Sequence, residues 1–274
     1  MSEFIKTGLL GHPVAHSKSP LIHNYWIKKF GLEGKYEAFD VKPENLERKI
    51  KELIADGYKG VNLTLPHKEA VLKFCDFIDP VAKKVGAVNT LVFEKGKILG
   101  FNTDVFGFTE NIIEAEPLFD FASGPAVVLG AGGAAHAVIY ALLQQNTHEI
   151  RLVNRSRERA EEIAAKYGVK VKAYDWEERA KILKDANLVV NTTSLGLEGQ
   201  PRLDLDLEHL MPGALVNDIV YEPLYTDLLQ AAKKKGNPVV TGIGMLLQQA
   251  RPAFRKWYDV LPDIDMDLLD MVQK

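Results

Sequence analysis

The 274-residue chain carries 34 Lys plus Arg against 37 Asp plus Glu, a formal charge of −3, which is a poor footprint for gripping nucleic acid or an anionic membrane. Its single cysteine, Cys75, can form neither an internal disulfide nor a zinc site, which excludes the disulfide-stapled secreted class and makes a reducing compartment, the cytoplasm, the expectation. At about 150 residues per domain the length predicts two domains, and folding should bury roughly 73% of the unfolded surface without a metal or staple. Small molecules are the expected partners, with a monomer or homodimer as the assembly.

Residues 1–11 place Glu3 and Lys6 inside an apolar stretch and lack the apolar core of a signal peptide. Strands are predicted at 7–10, 36–41, 60–64 and 87–93, with helices between them. Ser19-Pro20 is a helix-start signature, a hydroxyl to cap and a proline at the first turn, and Pro43-Glu44 resembles another. A hairpin over 91–101 turns at Lys95-Gly96, and a linking helix over 104–115 ends before Pro117. Residues 124–143 contain no Asp, Glu, Lys or Arg and are long enough to span a bilayer. Pro125, Gly130, Gly132 and Gly133 break that stretch, so it reads instead as a buried strand, 126–129, feeding a helix over 134–143. Further buried strands at 149–153, 188–190 and 214–219 suit a doubly wound parallel sheet. The Lys233 to Lys235 run suits a helix C-terminus, and after 238–241 an amphipathic helix covers 245–258.

Val127-Val128-Leu129 runs straight into Gly130-Ala131-Gly132-Gly133-Ala134-Ala135, a G-x-G-x-x-A form of the dinucleotide fingerprint. Gly130 permits the tight turn, Gly132 lets backbone N–H groups approach a pyrophosphate, and small Ala135 lets the helix pack close to the strand. At the end of the next strand comes Asn154-Arg155-Ser156-Arg157-Glu158-Arg159, with no acid in the slot that would bind a ribose 2′-hydroxyl. Arg155 and Arg159, four apart at a helix start, can reach one 2′-phosphate, which favours NADP over NAD. The bland alternative is a solvated helix face with Arg155 or Arg157 paired to Glu161.

Three polar clusters mark the N-terminal block: His16-Ser17-Lys18-Ser19-Pro20, Asn62-Leu63-Thr64-Leu65-Pro66-His67-Lys68, and Asn89 with Asn102-Thr103-Asp104. Taken singly, each has an ordinary reading. Ser19 could cap a helix, Asn62 and Thr64 could form strand-end turns, Lys68 could face solvent, and Asp104 could be an N-cap. His12 and His16 have the spacing of a helical metal pair, but Pro13 lies between them and no nearby acid completes a set, so no metal is expected. Cys75 reads as a small buried apolar residue.

Together these stretches resemble the shikimate dehydrogenase family. The matching segments are G-H-P-V-A-H-S-K-S-P-L-I-H-N from Gly11, G-V-N-L-T-L-P-H-K from Gly60, G-A-V-N-T from Gly86 and N-T-D from Asn102. The glycine loop follows, then N-R-S-R-E-R-A from Asn154, N-T-T-S-L-G from Asn191, D-I-V-Y-E-P from Asp218 and G-I-G-M-L-L-Q-Q from Gly242. The resemblance implies an α/β fold with an N-terminal substrate domain, 1–103 completed by 241–274, and a Rossmann-like NADP domain over 104–240. It implies that Ser17 and Ser19 bind the substrate carboxylate, that Asn62, Thr64, Asn89, Asp104 and Gln249 surround its hydroxyls, and that Tyr221 lies near it. Lys68 and Asp104 become the catalytic pair. Gly130, Ala131, Gly132, Gly133, Ala134, Asn154, Arg155, Ser156, Arg159, Thr192, Ile219, Gly242 and Met245 become cofactor residues, the last two beside the nicotinamide.

The implied activity is NADP-dependent interconversion of 3-dehydroshikimate and shikimate, a step toward chorismate and the aromatic amino acids. Alternatives are a dual quinate/shikimate dehydrogenase using NAD or NADP, and a non-catalytic sensor of a nucleotide or ring acid. Oxidation of a secondary alcohol needs a group that takes the hydroxyl proton. Lys68 does so only if its pKa falls or a neighbour relays the proton, and Asp104 beside it would hold the ammonium charged, so the pair is expected to act as a unit.

Overall fold

The protein, represented by a computed structural model, is described over residues 4–274; Met1 to Glu3, where the stretch read as lacking a signal core begins, lie outside the described residues. The chain divides into two compact units, Met1–Gly107 with Leu246–Lys274, and Phe108–Met245. The breaks fall inside the Asp104–Ala115 and Gly242–Tyr258 helices, a few residues beyond the expected 103/104 and 240/241.

In the first unit β1 (Ile5–Gly11), β2 (Gly34–Asp40), β3 (Tyr58–Leu63), β4 (Phe77–Ile78), β5 (Thr90–Glu94) and β6 (Lys97–Phe101) form one sheet in the order β2-β1-β3-β5-β6-β4. Strand β1 runs parallel to β2 and β3, whereas β5 is antiparallel to both β3 and β6. The hairpin between β5 and β6 turns at Lys95 and Gly96, both at positive φ (50° and 74°), as a two-residue connection between twisted strands requires. Register pairs Leu10 with Leu63, Asn62 with Thr90, and Thr90 with Phe101. The ends of β1, β3 and β6 and the start of β5 therefore share one edge of the sheet, and the three polar clusters of the sequence issue from that edge.

One face of this sheet buries Leu10, Val61, Leu63 and Leu91 against Leu46, Ile50 and Leu53 of the Leu46–Ala55 helix. The Gly242–Tyr258 helix carries Trp257, whose indole N–H donates to Leu91 O at 3.0 Å. A Cβ at Gly60 would collide with that indole, so the glycine is what lets the aromatic approach β3. Ser19 is the buried first residue of the Ser19–Lys29 helix and not its cap; Lys18 occupies that position without a side-chain hydrogen bond. Pro43-Glu44 opens a short 3-10 turn, Pro43–Asn45, ahead of the next helix. Cys75 is half-buried, not buried; its thiol bonds Val71 O at 3.5 Å, and burial pushes it up to about 11. A helix the sequence did not reveal, Met266–Gln273, starts at Asp265, whose carboxylate accepts from Leu268 N at 2.9 Å.

In the second unit β7 (Ala126–Leu129), β8 (Ile150–Val153), β9 (Val171–Tyr174), β10 (Leu188–Asn191), β11 (Leu215–Asp218) and β12 (Val239–Val240) form a wholly parallel sheet in the order β12-β11-β10-β7-β8-β9. Counted within the unit, that is the 3-2-1-4-5-6 order of a doubly wound dinucleotide-binding sheet, whose order reverses between its first and fourth strands, β7 and β10. The uncharged 124–143 stretch resolves into β7 and the Gly133–Gln144 helix. No helix among the described residues is long and apolar enough to cross a membrane. Lys233 to Lys235 end the Asp227–Lys235 helix, which closes on Gly236 at φ 88°.

Candidate active site

Lys68 and Asp104, thirty-six positions apart, meet at the shared edge of the first sheet. Lys68 lies in the short His67–Ala70 helix after β3, where its carbonyl accepts from Val88 N at 2.8 Å and the neighbouring His67 imidazole bonds Val41 O at 2.7 Å. Asp104 opens the Asp104–Ala115 helix, but Asn102 does the capping: its Oδ1 accepts from the N–H groups of Asp104 (3.0 Å) and Val105 (3.3 Å). The Asp104 carboxylate is thereby left for other partners. Lys68 Nζ donates to Asp104 Oδ2 at 2.7 Å, with the two side chains only 17% and 5% exposed. A solvent-facing lysine is thus ruled out. Charges this poorly hydrated are tolerated only when paired and hydrogen-bonded.

Asn89, at the start of β5, organises the rest. Its Nδ2 lies within reach of three acceptors, Thr103 Oγ1 (2.8 Å), Asp104 Oδ1 (2.9 Å) and Gln249 Oε1 (3.2 Å), while its Oδ1 accepts from Thr103 N at 2.8 Å and Thr90 Oγ1 at 3.1 Å. Asn62 joins through Thr90 Oγ1 at 3.0 Å. So Asn62, Lys68, Asn89, Asp104 and Gln249 form one bonded cluster. Ser17 and Ser19 bond each other, Ser17 Oγ accepting from Ser19 N at 3.3 Å, and Thr64 follows β3 with its N–H donating to Leu10 O at 3.0 Å. Three members went unassigned in the sequence, the first being Thr90, which ends the G-A-V-N-T motif and links Asn62 to Asn89. Thr103 sits inside the N-T-D motif and could have been found there; Tyr36, whose hydroxyl donates to Asn62 Oδ1 at 2.7 Å, carries no signal beyond its strand position. Contrary to the sequence expectation, an acid does face His12: Asp40 Oδ1 lies 2.5 Å from its Nδ1. Among the described residues no group of three His, Cys, Asp or Glu side chains is placed to hold a metal.

The second unit carries the glycine turn. Gly130 has φ 105°, and a Cβ there would press on Thr193 Cγ2 at 2.8 Å and Thr192 Oγ1 at 2.9 Å. Thr192 Oγ1 donates to Leu129 O at 2.7 Å, tying the end of β10 to the end of β7 where the strand order reverses. Gly132 caps the following helix without any side-chain hydrogen bond, and a Cβ built on it would meet nothing within 4 Å. The first-turn amides of Gly133 and Ala134 are therefore left for a ligand. Ala131 is buried in the turn, and Ala135 is fully buried, as close helix packing demands.

After β8, Asn154 Nδ2 donates to Ser156 O at 3.0 Å, and Ser156 caps the Arg157–Tyr167 helix by accepting from Arg159 N at 3.4 Å. Arg157 is held by Glu161 (2.9 Å) and Asp175 (2.8 Å). Arg155 is exposed and enters neither pair. It precedes the cap, so the helical four-residue spacing expected to aim it alongside Arg159 does not apply; any convergence would come from the loop.

Asp218, at the end of β11, accepts from Asn191 Nδ2 (2.9 Å), Val220 N (3.0 Å) and Thr226 Oγ1 (2.7 Å), and burial pushes its carboxyl up to about 6. This anchors the segment bearing Ile219 and half-buried Tyr221. A Cβ on Gly242 would collide with the Ile219 carbonyl, so these two expected cofactor residues are in backbone contact; Met245 is buried three residues on. An open glycine turn, a helix N-terminus with no side-chain cap and an arginine that pairs with no carboxylate among the described residues fit a phosphorylated dinucleotide.

Comparison with known proteins bears on both units. Residues 9–91 match the shikimate dehydrogenase substrate binding domain and residues 114–197 match shikimate / quinate 5-dehydrogenase. The shikimate dehydrogenase (NADP(+)) of Paramagnetospirillum magneticum is 51% identical over 262 residues, covering 95% of each chain, and that of a Ruegeria species is 47% identical over 266 residues, covering 97% of this chain and 96% of the other. Among solved structures, shikimate 5-dehydrogenase from Thermus thermophilus in complex with NADP(H) and shikimate superposes with a TM-score of 0.87 at 40% identity, covering 98% of both chains. With identity of this order over nearly its whole length, the chain belongs to the shikimate dehydrogenase family.

Proposed function

We propose that the chain catalyses the NADP-dependent interconversion of 3-dehydroshikimate and shikimate. The observation that carries this reading is the 2.7 Å Lys68–Asp104 pair, shielded from solvent and bonded to Asn89 in a cluster of alcohol-recognising side chains. NADP, when bound, supplies the hydride acceptor or donor. Lys68 Nζ has three hydrogens as an ammonium; one goes to Asp104 Oδ2, and the others are available to the oxygen of the reacting ring alcohol or ketone. In the reducing direction the pair delivers a proton to the carbonyl oxygen as the ring carbon gains hydride. In the oxidising direction it takes the hydroxyl proton as that carbon loses hydride.

Asn89, Gln249, Asn62 and Thr64 orient the ring hydroxyls, Ser17 and Ser19 hold the carboxylate, and Tyr221 lies near the ring. Residues 1–103 and 241–274 form the substrate domain and 104–240 the NADP domain. There Gly130 to Ala134 cradle the pyrophosphate, and Asn154, Arg155, Ser156 and Arg159 receive the 2′-phosphate. Thr192, Ile219, Gly242 and Met245 complete the cofactor site. The partners are then the ring acid and the nucleotide, with neither nucleic acid nor membrane involved. The setting is cytoplasmic, and the assembly is a monomer or homodimer.

The test is the absorbance of reduced nicotinamide, followed with shikimate and quinate against NADP⁺ and NAD⁺. Highest kcat/KM for shikimate with NADP⁺ supports the reading; no reduction with shikimate at high enzyme concentration would overturn it.

A further inference from the structure

Asn62 has a fully determined orientation. Its Nδ2 donates both hydrogens, to Asn89 O at 3.1 Å and Thr90 Oγ1 at 3.0 Å, and its Oδ1 accepts from the Tyr36 hydroxyl at 2.7 Å. Flipping the amide would aim Oδ1 at the Asn89 carbonyl, acceptor against acceptor, so the assignment follows from the network. What Asn62 retains is one lone pair on Oδ1. We propose that Tyr36 is a positioning residue for substrate recognition, locking Asn62 so that it presents an acceptor, and never a donor, to a ring hydroxyl. This rests on the dehydrogenase reading above for the identity of the ring alcohol.

Three further observations agree. Tyr36 is buried, and burial pushes its phenol well above its ordinary value, so it stays a protonated donor. The Ser19 side chain lies close enough to the same phenol to oppose the effect of burial, so the hydroxyl stands beside a residue of each proposed binding set, carboxylate and hydroxyl. The Tyr36 ring is fixed from behind by His23, stacked at 4.2 Å between centroids and 2° between planes, and by Trp257 at 6.1 Å. The phenol therefore has little freedom to follow Asn62 if that residue moves.

The experiment compares Tyr36→Phe, Asn62→Ala and the double variant, measuring shikimate KM, NADP⁺ KM and kcat together with shikimate Kd by calorimetry. Phe keeps the stacking, so the fold is retained. Loss of one neutral hydrogen bond should raise shikimate KM and Kd about 3- to 10-fold in Tyr36→Phe. NADP⁺ KM should be unchanged and the melting temperature nearly so, a split that a merely structural role would not produce. Because Tyr36 acts through Asn62, the double variant should bind shikimate no worse than Asn62→Ala alone. An unchanged shikimate affinity in Tyr36→Phe, or a further fold-loss in the double variant equal to that of Tyr36→Phe, would overturn the proposal. A wild type that binds shikimate without reducing NADP⁺ would instead contradict the dehydrogenase reading, and the Kd series would still decide the role of Tyr36.

Discussion

His23 should make the first unit acid-sensitive in a way that one substitution isolates. The imidazole is completely buried among Tyr36, Trp26, Phe254 and Trp257, neither ring nitrogen has a partner among the described residues, and burial lowers its pKa from 6.5 to about 3. A folded-state pKa below the unfolded one means stability present above pH 6.5 and lost as pH falls toward 3. At about 1.36 kcal/mol per pH unit, the loss at pH 4.5 is about 2.7 kcal/mol. Asp218 works in the opposite sense. Its carboxyl, in the second unit, is raised from 3.8 to about 6, so the folded state there gains stability as pH falls through that window, by about 2 kcal/mol at pH 4.5. His23→Phe removes one contribution and leaves the other. Urea unfolding should be followed by tryptophan fluorescence, to which Trp26 and Trp257 beside His23 contribute. The stability of His23→Phe relative to wild type should rise by about 2.7 kcal/mol between pH 7.5 and pH 4.5. A difference that stays the same at both pH values would refute the buried neutral imidazole.

Other consequences concern the cofactor. Arg155→Ala should raise NADP⁺ KM about 10- to 100-fold, the worth of a charge-assisted phosphate contact, and leave NAD⁺ kinetics nearly unchanged; equal effects on both nucleotides would remove Arg155 from the 2′-phosphate. Gly130→Ala places a Cβ at φ 105° against Thr193 and Thr192. It should abolish measurable NADP⁺ binding by calorimetry while shikimate binding persists, and retention of NADP⁺ affinity would show that the turn tolerates a side chain.

Much of the architecture was legible because its determinants are local. The apolar 126–129 run ending in glycines could only be a buried strand feeding a helix, and the Lys95-Gly96 turn announced its hairpin. Strand β4, two residues long, and edge strand β9 escaped notice because neighbouring strands, not their own patterns, decide them. The Met266–Gln273 helix is different, since Asp265 three residues ahead of Leu268 is a readable cap that went unused. At the site, Lys68 and Asp104 could be paired only through the family resemblance, since a separation of thirty-six residues has no intrinsic geometry. Tyr36 was invisible for the same reason: its partner Asn62 is brought to it by the register of β1 with β2 and β3. Asn102 took the capping role that sequence alone could equally have given to Asp104.

The decisive measurement is steady-state oxidation of shikimate by Lys68→Ala, with NADP⁺ affinity determined on the same preparation. If the Lys68–Asp104 pair moves the alcohol proton, kcat should fall about 10²- to 10⁴-fold while NADP⁺ Kd stays at the wild-type value. Turnover near the wild-type rate in a protein that still binds both ligands would contradict it.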